Sequence, residues 1–110
     1  MKINKELMKG STVILILTLL NRKDMYGYEM TKEMETHTEG VFTLKEGTLY
    51  PILHMLESEK YVEAYWDEHE GRKRKYYRIT KMGKDELHLK REEWSLFRNT
   101  VDRVLGEGGV

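Results

Sequence analysis

The order of hydrophobic and polar residues changes period twice along the chain, from helical to alternating and back to helical. The first stretch is apolar from 13 to 20 except at Thr18. Because its apolar residues cover almost the whole circumference of a helix, we expect this segment to be buried on more than one side. The pattern predicts a first helix over residues 4–20, with Asn4 as its N-cap.

Two shorter helical patterns follow. The second predicted helix runs from about residue 26 to 37, and its inward face carries Met30, Met34 and Tyr28. Gly40 supplies a left-handed turn after it.

The third predicted helix contains a proline. It lies within residues 43–59, and a Thr and a Glu three positions apart at its start have the spacing of a capping box. An interior proline removes one backbone hydrogen bond, so either the helix bends at Pro51 or it begins near Gly47, with Pro51 in its first turn. Both alternatives leave Thr48 and Tyr50 exposed near the N-terminal end.

Residues 62–79 alternate with a period of two. Val62, Ala64 and Trp66 face one side, and the following run alternates in the same way. Two aromatic-rich alternating runs around Glu70–Gly71 predict a β-hairpin.

The last helical pattern begins after Thr80, a suitable N-cap, and continues to about Leu105, a length of roughly 40 Å. Its apolar stripe either packs on the chain's own domain or pairs with a second copy. We favour a dimer, because the rest of the chain is too small to cover the stripe.

These patterns divide the chain into a domain over 1–79, a dimerisation helix over 80–105 and a disordered tail over 106–110. The expected dimer contacts are Leu87, Trp94, Phe97, Val101 and Val104.

Composition narrows the class of protein. The 110 residues are 35% charged and 39% hydrophobic, which fits one small domain that gains from a partner subunit. The absence of cysteine excludes disulfides, thiolate metal sites and cysteine nucleophiles, and is most simply explained by a reducing cytoplasm. The longest apolar run is eight residues, far short of the roughly 20 that span a membrane, so we expect no membrane partner.

Charge is balanced in total but not in distribution. The chain has 19 Lys and Arg against 19 Asp and Glu. Residues 57–70 hold six acids and one base, whereas residues 72–81 hold six bases and no acid. A basic hairpin can neutralise phosphates, and the polar end of a neighbouring helix can enter the major groove. Three helices and a basic hairpin therefore predict a mainly α (α+β) winged helix-turn-helix domain that binds double-stranded DNA.

No motif in the sequence indicates catalysis. The four histidines are scattered, and the acidic hairpin segment 67–70 lacks the ligand spacing of a zinc site. There is no P-loop, His-Glu-x-x-His or Gly-x-Gly-x-x-Gly motif. We expect no catalytic residue, metal or cofactor.

Three segments together resemble the PadR family of bacterial transcriptional regulators, the phenolic-acid-responsive repressors and their relatives. They are Tyr-Gly-Tyr-Glu at 26–29, Glu-Gly-Thr-Leu-Tyr-Pro at 46–51 and Gly-Arg-Lys-Arg-Lys-Tyr-Tyr at 71–77. The resemblance extends over residues 5–105 and implies a homodimeric repressor that binds an inverted repeat. It places the second segment on the recognition helix and the third on the wing.

The expected DNA contacts combine this resemblance with the charge pattern. For Tyr50 the alternative is a half-buried core residue, and for Gly47 a backbone requirement. For the basic run 72–75 the alternatives are a solvated turn or pairing with the acidic strand. The expected contacts are Lys5, Lys9, Lys45, Gly47, Thr48, Tyr50, Pro51, His54, Arg72, Lys73, Arg74, Lys75 and Tyr76.

Two positions depart from the family pattern. Met55 stands where the family usually has Arg, which removes one cationic contact near the recognition helix. Lys60 stands where the family usually has Gly, so a lysine must adopt the turn that ends the third helix.

The sequence suggests two further roles besides DNA binding by the chain. In the multidrug-sensing branch of the family, aromatic residues of the last helix line a drug-binding space between subunits, which implies a small-molecule effector. The positive charge of Arg98, one turn beyond Trp94, favours an anionic compound over a cationic one. The alternative to DNA binding is a protein-interaction adaptor whose basic hairpin docks on an acidic surface, or a ligand sensor that uses the same winged-helix scaffold. The expected effector contacts are Met8, Thr12, Trp94, Phe97 and Arg98.

Overall fold

The computed structural model describes residues 3–106, which form helices around a small antiparallel sheet, followed by a long C-terminal helix. This is the expected winged helix-turn-helix architecture. The elements in chain order are α1 (Lys5–Lys9), α2 (Thr12–Arg22), β1 (Met25–Tyr26), α3 (Gly27–His37), α4 (Glu46–Ser58), β2 (Val62–His69), β3 (Arg72–Ile79) and α5 (Lys81–Leu105).

One hydrophobic core joins these elements, with α2 at its centre. Helix α2 packs against α3, β3 and the first turns of α5, while α4 packs against α3 and β2. The core is formed by Ile16, Leu17, Leu20, Met30, Met34, Leu49, Leu53, Leu56, Val62, Tyr77, Ile79 and Leu87, all of which are buried.

The prediction of one helix over residues 4–20 is wrong, because the chain turns at Gly10–Ser11. Both the amide and the hydroxyl of Ser11 donate to the Met8 carbonyl at 3.0 Å. The hydroxyl of Thr12 also donates to it, at 3.2 Å. Side-chain donors here compete with the regular helical ladder, which explains the division into α1 and α2.

The start of α4 also differs from the prediction. The helix begins at Glu46 after an extended Lys45, and no side chain of the described residues caps it, so the expected capping box from Thr43 does not form. Pro51 is therefore interior to the helix. Because proline has no N–H, the Gly47 carbonyl lacks its usual helical partner.

Helix α4 ends in a Schellman motif. The Tyr61 amide donates to the Leu56 carbonyl at 2.9 Å, and the Lys60 amide donates to the Glu57 carbonyl at 3.0 Å. Lys60 occupies the left-handed position of this motif, with φ of 64°. A lysine thus adopts a conformation that favours glycine, as the resemblance to the family pattern implied.

The sheet has the order β1-β3-β2 and is antiparallel throughout. The predicted hairpin is confirmed: Val62 pairs with Ile79 and His69 pairs with Arg72. Glu70 and Gly71, with φ of 52° and 76°, form the turn. Strand β1 was not predicted, since only two residues pair with β3.

Helix α5 extends well beyond the core. Thr80 caps it by accepting the Gly83 amide at 3.0 Å, as predicted. Residues 91–100 are all exposed, and the described part of the chain measures 54 Å along its longest axis. Gly106 ends the helix with φ of 80°, and the rest of the predicted disordered tail lies outside the described residues. Among residues 3–106, no helix has both the length and the apolar character that crossing a bilayer requires.

Candidate nucleic-acid interface

Helix α4 buries one side and exposes the other. Leu49, Leu53 and Leu56 are completely buried, because they recur at the spacing of one helical face. Polar and small residues occupy the opposite face, which solvent can reach from the N-terminal end onward. The exposed residues are Glu46, Gly47, Thr48, Tyr50, Pro51, His54, Met55 and Ser58.

The Tyr50 ring lies against the start of α3. A Cβ atom added to Gly27 would come within 2.5 Å of the Tyr50 hydroxyl, so only glycine leaves room for this ring. Tyr50 remains 38% exposed. Its aromatic ring is thus held by the protein while part of the side chain faces outward.

Packing within residues 3–106 does not explain a glycine at position 47. No heavy atom of these residues lies within 4 Å of where its Cβ would be, and its φ is not in the left-handed region. The interpretation of Gly47 as a backbone requirement of the fold is therefore wrong. Its effect is to leave the N-terminal end of α4 flat enough for close approach by another molecule.

A groove between α3 and the start of α4 contains residues that sequence reasoning missed. Tyr28 is 53% exposed, not inward-facing as expected. The Lys32 ammonium lies 5.5 Å from the centre of its ring, a spacing available to residues four apart on a helix. Both residues, with the exposed Lys45, line a shallow depression of about 390 Å³.

The wing tip carries cations that no acid in the described residues pairs with. Strand register places Asp67 opposite Arg74 and Glu68 opposite Lys73, yet neither couple forms an ion pair in the structure. Among residues 3–106, Arg72, Lys73 and Arg74 have no ion-pair partner. Their charges are therefore available to phosphates.

The base of the wing is different, because its cations are already paired. Arg78 contacts Asp24 through Nη2 at 3.0 Å and Nε at 3.1 Å, and reaches Glu63 at 3.8 Å. The hydrogen bond to Asp24 raises the pKa of Arg78 above its ordinary value. Lys75 lies 3.9 Å from Glu57 on α4. Within residues 72–75, Lys75 alone has an ion-pair partner among the described residues, and that partner lies on α4 and not on the acidic strand β2.

Tyr76 packs inside an aromatic cluster at the base of the wing. Its ring centre is 5.5 Å from that of Tyr26 in an edge-on arrangement, and 5.7 Å from that of Tyr65 in a stacked one. Arg74 lies 4.5 Å from the centre of the Tyr26 ring. Two sides of the Tyr76 ring are thus covered within the chain, which gives this residue a structural role, and a DNA contact by its half-exposed remainder stays a prediction.

The remaining expected contacts lie apart from this surface or at its edge. Lys5 and Lys9 are exposed on α1, which has no extensive packing contact with α4 or with the wing. His54 is exposed on α4, on the same face as Pro51.

A second exposed surface follows the distal half of α5. Trp94 and Phe97 stack with ring centres 5.8 Å apart, and Val101 and Val104 continue the apolar stripe in the open. Leu87 does not belong to it: only 3% of this residue is exposed, because it packs in the core of its own chain. The expectation of a dimer contact at Leu87 is thus wrong.

Two other features of the helical surfaces depart from the sequence interpretation. Thr12 is buried within its own chain and bonded to the Met8 carbonyl, so it does not line an open effector space. On the side of α5 away from Trp94, a further exposed apolar row was missed, although its spacing of seven is visible in the sequence. This row consists of Met82, Leu89 and Leu96.

Comparison with known proteins gives the family. The model of the PadR-like family of transcriptional regulators matches residues 16–89, which run from α2 through the wing into α5. The chain belongs to the PadR-like family of transcriptional regulators. Within the described residues, this PadR-like chain has no group of three or more His, Asp or Glu residues placed to hold a metal ion.

Individual relatives agree with this assignment. A transcriptional regulator structure from Clostridium thermocellum is 35% identical, with 90% of this chain and 97% of that one covered and a TM-score of 0.85. A PadR family regulator from Eggerthella lenta is 33% identical, with 91% and 86% covered and a TM-score of 0.81. The Escherichia coli transcriptional regulator YqjI is 32% identical over 92 residues, which are 84% of this PadR-like chain and 43% of YqjI.

Proposed function

We propose that this PadR-like regulator is a homodimeric repressor that binds an inverted-repeat operator in double-stranded DNA. The observation that carries the proposal is the pairing of two surfaces: the exposed polar face of α4 and a wing tip whose cations have no partner in the described residues. Both surfaces lie on the same compact unit. This is required if one element reads the bases while the other holds the DNA backbone.

Sequence reading is assigned to α4. A helix fits the major groove, which is about 12 Å wide, and small residues at its end let the backbone come close to base edges. Gly47 permits this approach, while the Thr48 hydroxyl and the His54 imidazole can hydrogen-bond to bases. Met55, exposed on the same helix, offers an apolar surface suited to a thymine methyl group in place of a cationic contact.

Positioning on the duplex is assigned to the wing. Arg72 and Lys73 stand at the tip, and the Tyr26 ring orients Arg74. Guanidinium and ammonium groups at this position contact phosphates or enter the adjacent minor groove. The contacts are expected to be few, because residues 62–79 hold five Lys or Arg against four Asp or Glu.

Dimerisation is assigned to the distal half of α5. A two-fold pair of these helices covers Trp94, Phe97, Val101 and Val104, which are exposed in one chain. A dimer also explains an inverted repeat, since two recognition helices about 34 Å apart meet successive major grooves on one side of the duplex. Repression follows if the bound dimer obstructs transcription.

An effector site is assigned to the Trp94–Phe97 stack, with Met8 as a further lining residue. Arg98 is exposed one turn beyond Trp94 and favours an anionic aromatic compound. Such a compound shifts the equilibrium between two dimer conformations only if its affinity is higher for the conformation that cannot bind DNA than for the one that can.

Selection from a library of randomised duplexes tests the proposal. The expected product is an inverted repeat whose half-sites are centred about one helical turn apart. Thr48→Ala should alter the selected bases, whereas Arg72→Ala should weaken every sequence alike. If no sequence is enriched and no duplex is bound at low salt, the protein is an adaptor that docks on other proteins.

A further inference from the structure

Trp66 is a large aromatic side chain that the fold leaves in solvent. It lies on β2 and is 67% exposed. Along that strand it follows Val62 and Ala64 on the same face, and those two residues pack into or against the core. Trp66 therefore continues the core-facing side of the hairpin past the point where the core ends.

Cations flank Trp66 on this face. Strand register places Lys75 directly opposite Trp66, and Lys73 is the next residue of β3 on the same side. Lys75 reaches across to α4, where its ammonium lies 3.9 Å from Glu57. We call Trp66, Lys73 and Lys75 the inner wing face. This surface lies between the recognition helix and the wing tip.

We propose that the inner wing face is a third DNA contact, in which the Trp66 indole packs against the deoxyribose of the backbone strand between the two grooves. Lys73 and Lys75 take the flanking phosphates, and Lys75 gives up its long ion pair with Glu57 to do so. This inference rests on the proposed DNA binding by α4 and the wing.

Distance along the strand supports this occupant. Trp66 is four residues from Glu70 in the turn, which corresponds to about 13 Å of strand. The minor groove is only about 7.5 Å deep, so a tip that enters it leaves Trp66 outside the groove, beside the backbone that borders it. An apolar ring between two cations matches a sugar between two phosphates.

Opposing charges are present but lie toward the tip. Asp67 and Glu68 line the same shallow depression as Trp66 and Lys73. Glu68 faces the same side of the hairpin, directly opposite Lys73 and two residue pairs further from α4 than Trp66. The cation nearest α4, Lys75, is thus the one farthest from these carboxylates.

Equilibrium binding tests the contact. Trp66→Ala should lower affinity for a labelled mixed-sequence duplex about three helical turns long by roughly tenfold. Affinity for a selected operator should fall by the same factor, because a backbone contact carries no sequence information. Leu89→Ala, which removes a comparably exposed apolar side chain from α5, is the matched control and should bind as the wild type does.

Spectroscopy of the wild-type chain supplies a direct readout. The protein has two tryptophans, so fluorotryptophan labelling gives two fluorine signals, which Trp94→Phe assigns. Adding the duplex should shift the Trp66 signal and protect it from solvent-induced shifts. An unmoved Trp66 signal in the bound state, or wild-type affinity in Trp66→Ala, overturns this inference but leaves the proposed function standing. Absence of binding by the wild-type protein at low salt overturns both.

Discussion

The Tyr65 hydroxyl donates a 2.6 Å hydrogen bond to the Asp24 carboxylate, which lies in the short connection between α2 and β1. The same carboxylate accepts from Arg78 on β3. Because Tyr65 and Arg78 stand on adjacent strands, one acid fixes the base of the wing to the helical core. The wing tip is thus presented at a defined angle to α4.

Loss of the Tyr65 hydroxyl should loosen this attachment. Tyr65→Phe removes a partly buried hydrogen bond and should lower the free energy of unfolding at neutral pH by about 1 kcal/mol, measured by urea denaturation. Tyr28→Phe is the control, because it removes an exposed hydroxyl and leaves the bond to Asp24 in place.

The same bond predicts a pH dependence. The hydrogen bond to Asp24, followed by partial burial, raises the pKa of Tyr65 above its ordinary value of 10.0. Its stabilising effect is complete below that value and is lost as pH rises through the raised folded-state pKa. The gap in stability between wild type and Tyr65→Phe should therefore shrink in strongly alkaline buffer. A constant gap would assign the loss to packing alone.

Lys60→Gly should stabilise the protein. Lys60 holds φ of 64° at the end of α4, where a Cβ atom is unfavourable and glycine is not. After allowing for the greater freedom of glycine in the unfolded chain, we expect a gain of about 0.5–1 kcal/mol. The control is Glu59→Gly, at a right-handed position, which should lose stability. Equal or lower stability of Lys60→Gly would show that the turn carries no strain.

Gly47→Ala should separate folding from binding. Since its Cβ position is empty, the methyl group should raise helix stability by roughly 0.5–1 kcal/mol. The same methyl stands at the end of α4 that we place in the major groove, and it should weaken operator binding about tenfold. Gly10→Ala also enters open space, away from α4, and should leave binding unchanged. Full affinity of Gly47→Ala would move the DNA contact elsewhere on the helix.

The dependence of binding on salt should distinguish the cations of the wing. Arg72→Ala and Lys73→Ala should each reduce the slope of log affinity against log salt by up to about 0.9, because each removes one phosphate contact. Arg78→Ala should change stability and leave the slope almost intact, because Asp24 and Glu63 already pair its guanidinium. Equal slopes for all three variants would show that the ion pairs do not matter to binding.

The two apolar sites on α5 should respond differently to substitution. Phe97→Asp should give a monomer by light scattering and abolish the dependence of melting temperature on protein concentration, which a dimer shows by mass action. Leu87→Ala should instead leave the dimer intact and cost about 2–5 kcal/mol of stability, because it opens a cavity in the core. A Phe97→Asp protein that remains dimeric would contradict the assigned interface.

Local signals in the sequence were sufficient for most of the fold. The Glu70–Gly71 turn and the Thr80 cap depend on residues within a few positions of one another, whereas the left-handed turn at Lys60 was expected only from the resemblance to a family that usually has glycine there. Strand β1 could not be predicted, because its two residues form a strand only by pairing with Tyr76 and Tyr77. Propensity says little about a segment that short.

Predictions about the candidate site failed where residues far away in the sequence determine what a side chain contacts. The ion pairs of Arg78 were not expected, because only folding brings Asp24, 54 residues away in sequence, against it. Leu87 falls on the same heptad stripe as Trp94, but this stripe is buried in the core at Leu87 and exposed to solvent at Trp94. Periodicity identifies a helical face and not what covers it.

Titrating a labelled operator and a scrambled duplex of equal length at several salt concentrations tests DNA recognition by α4 and the wing most directly. Fluorescence anisotropy should show tighter binding to the operator, and affinity for both duplexes should fall as salt rises. Thr48→Ala should remove the preference for the operator without altering the salt slope, while Arg72→Ala should lower the slope without removing the preference. Equal binding of both duplexes by the wild type, with no effect of either substitution, would contradict recognition through this surface.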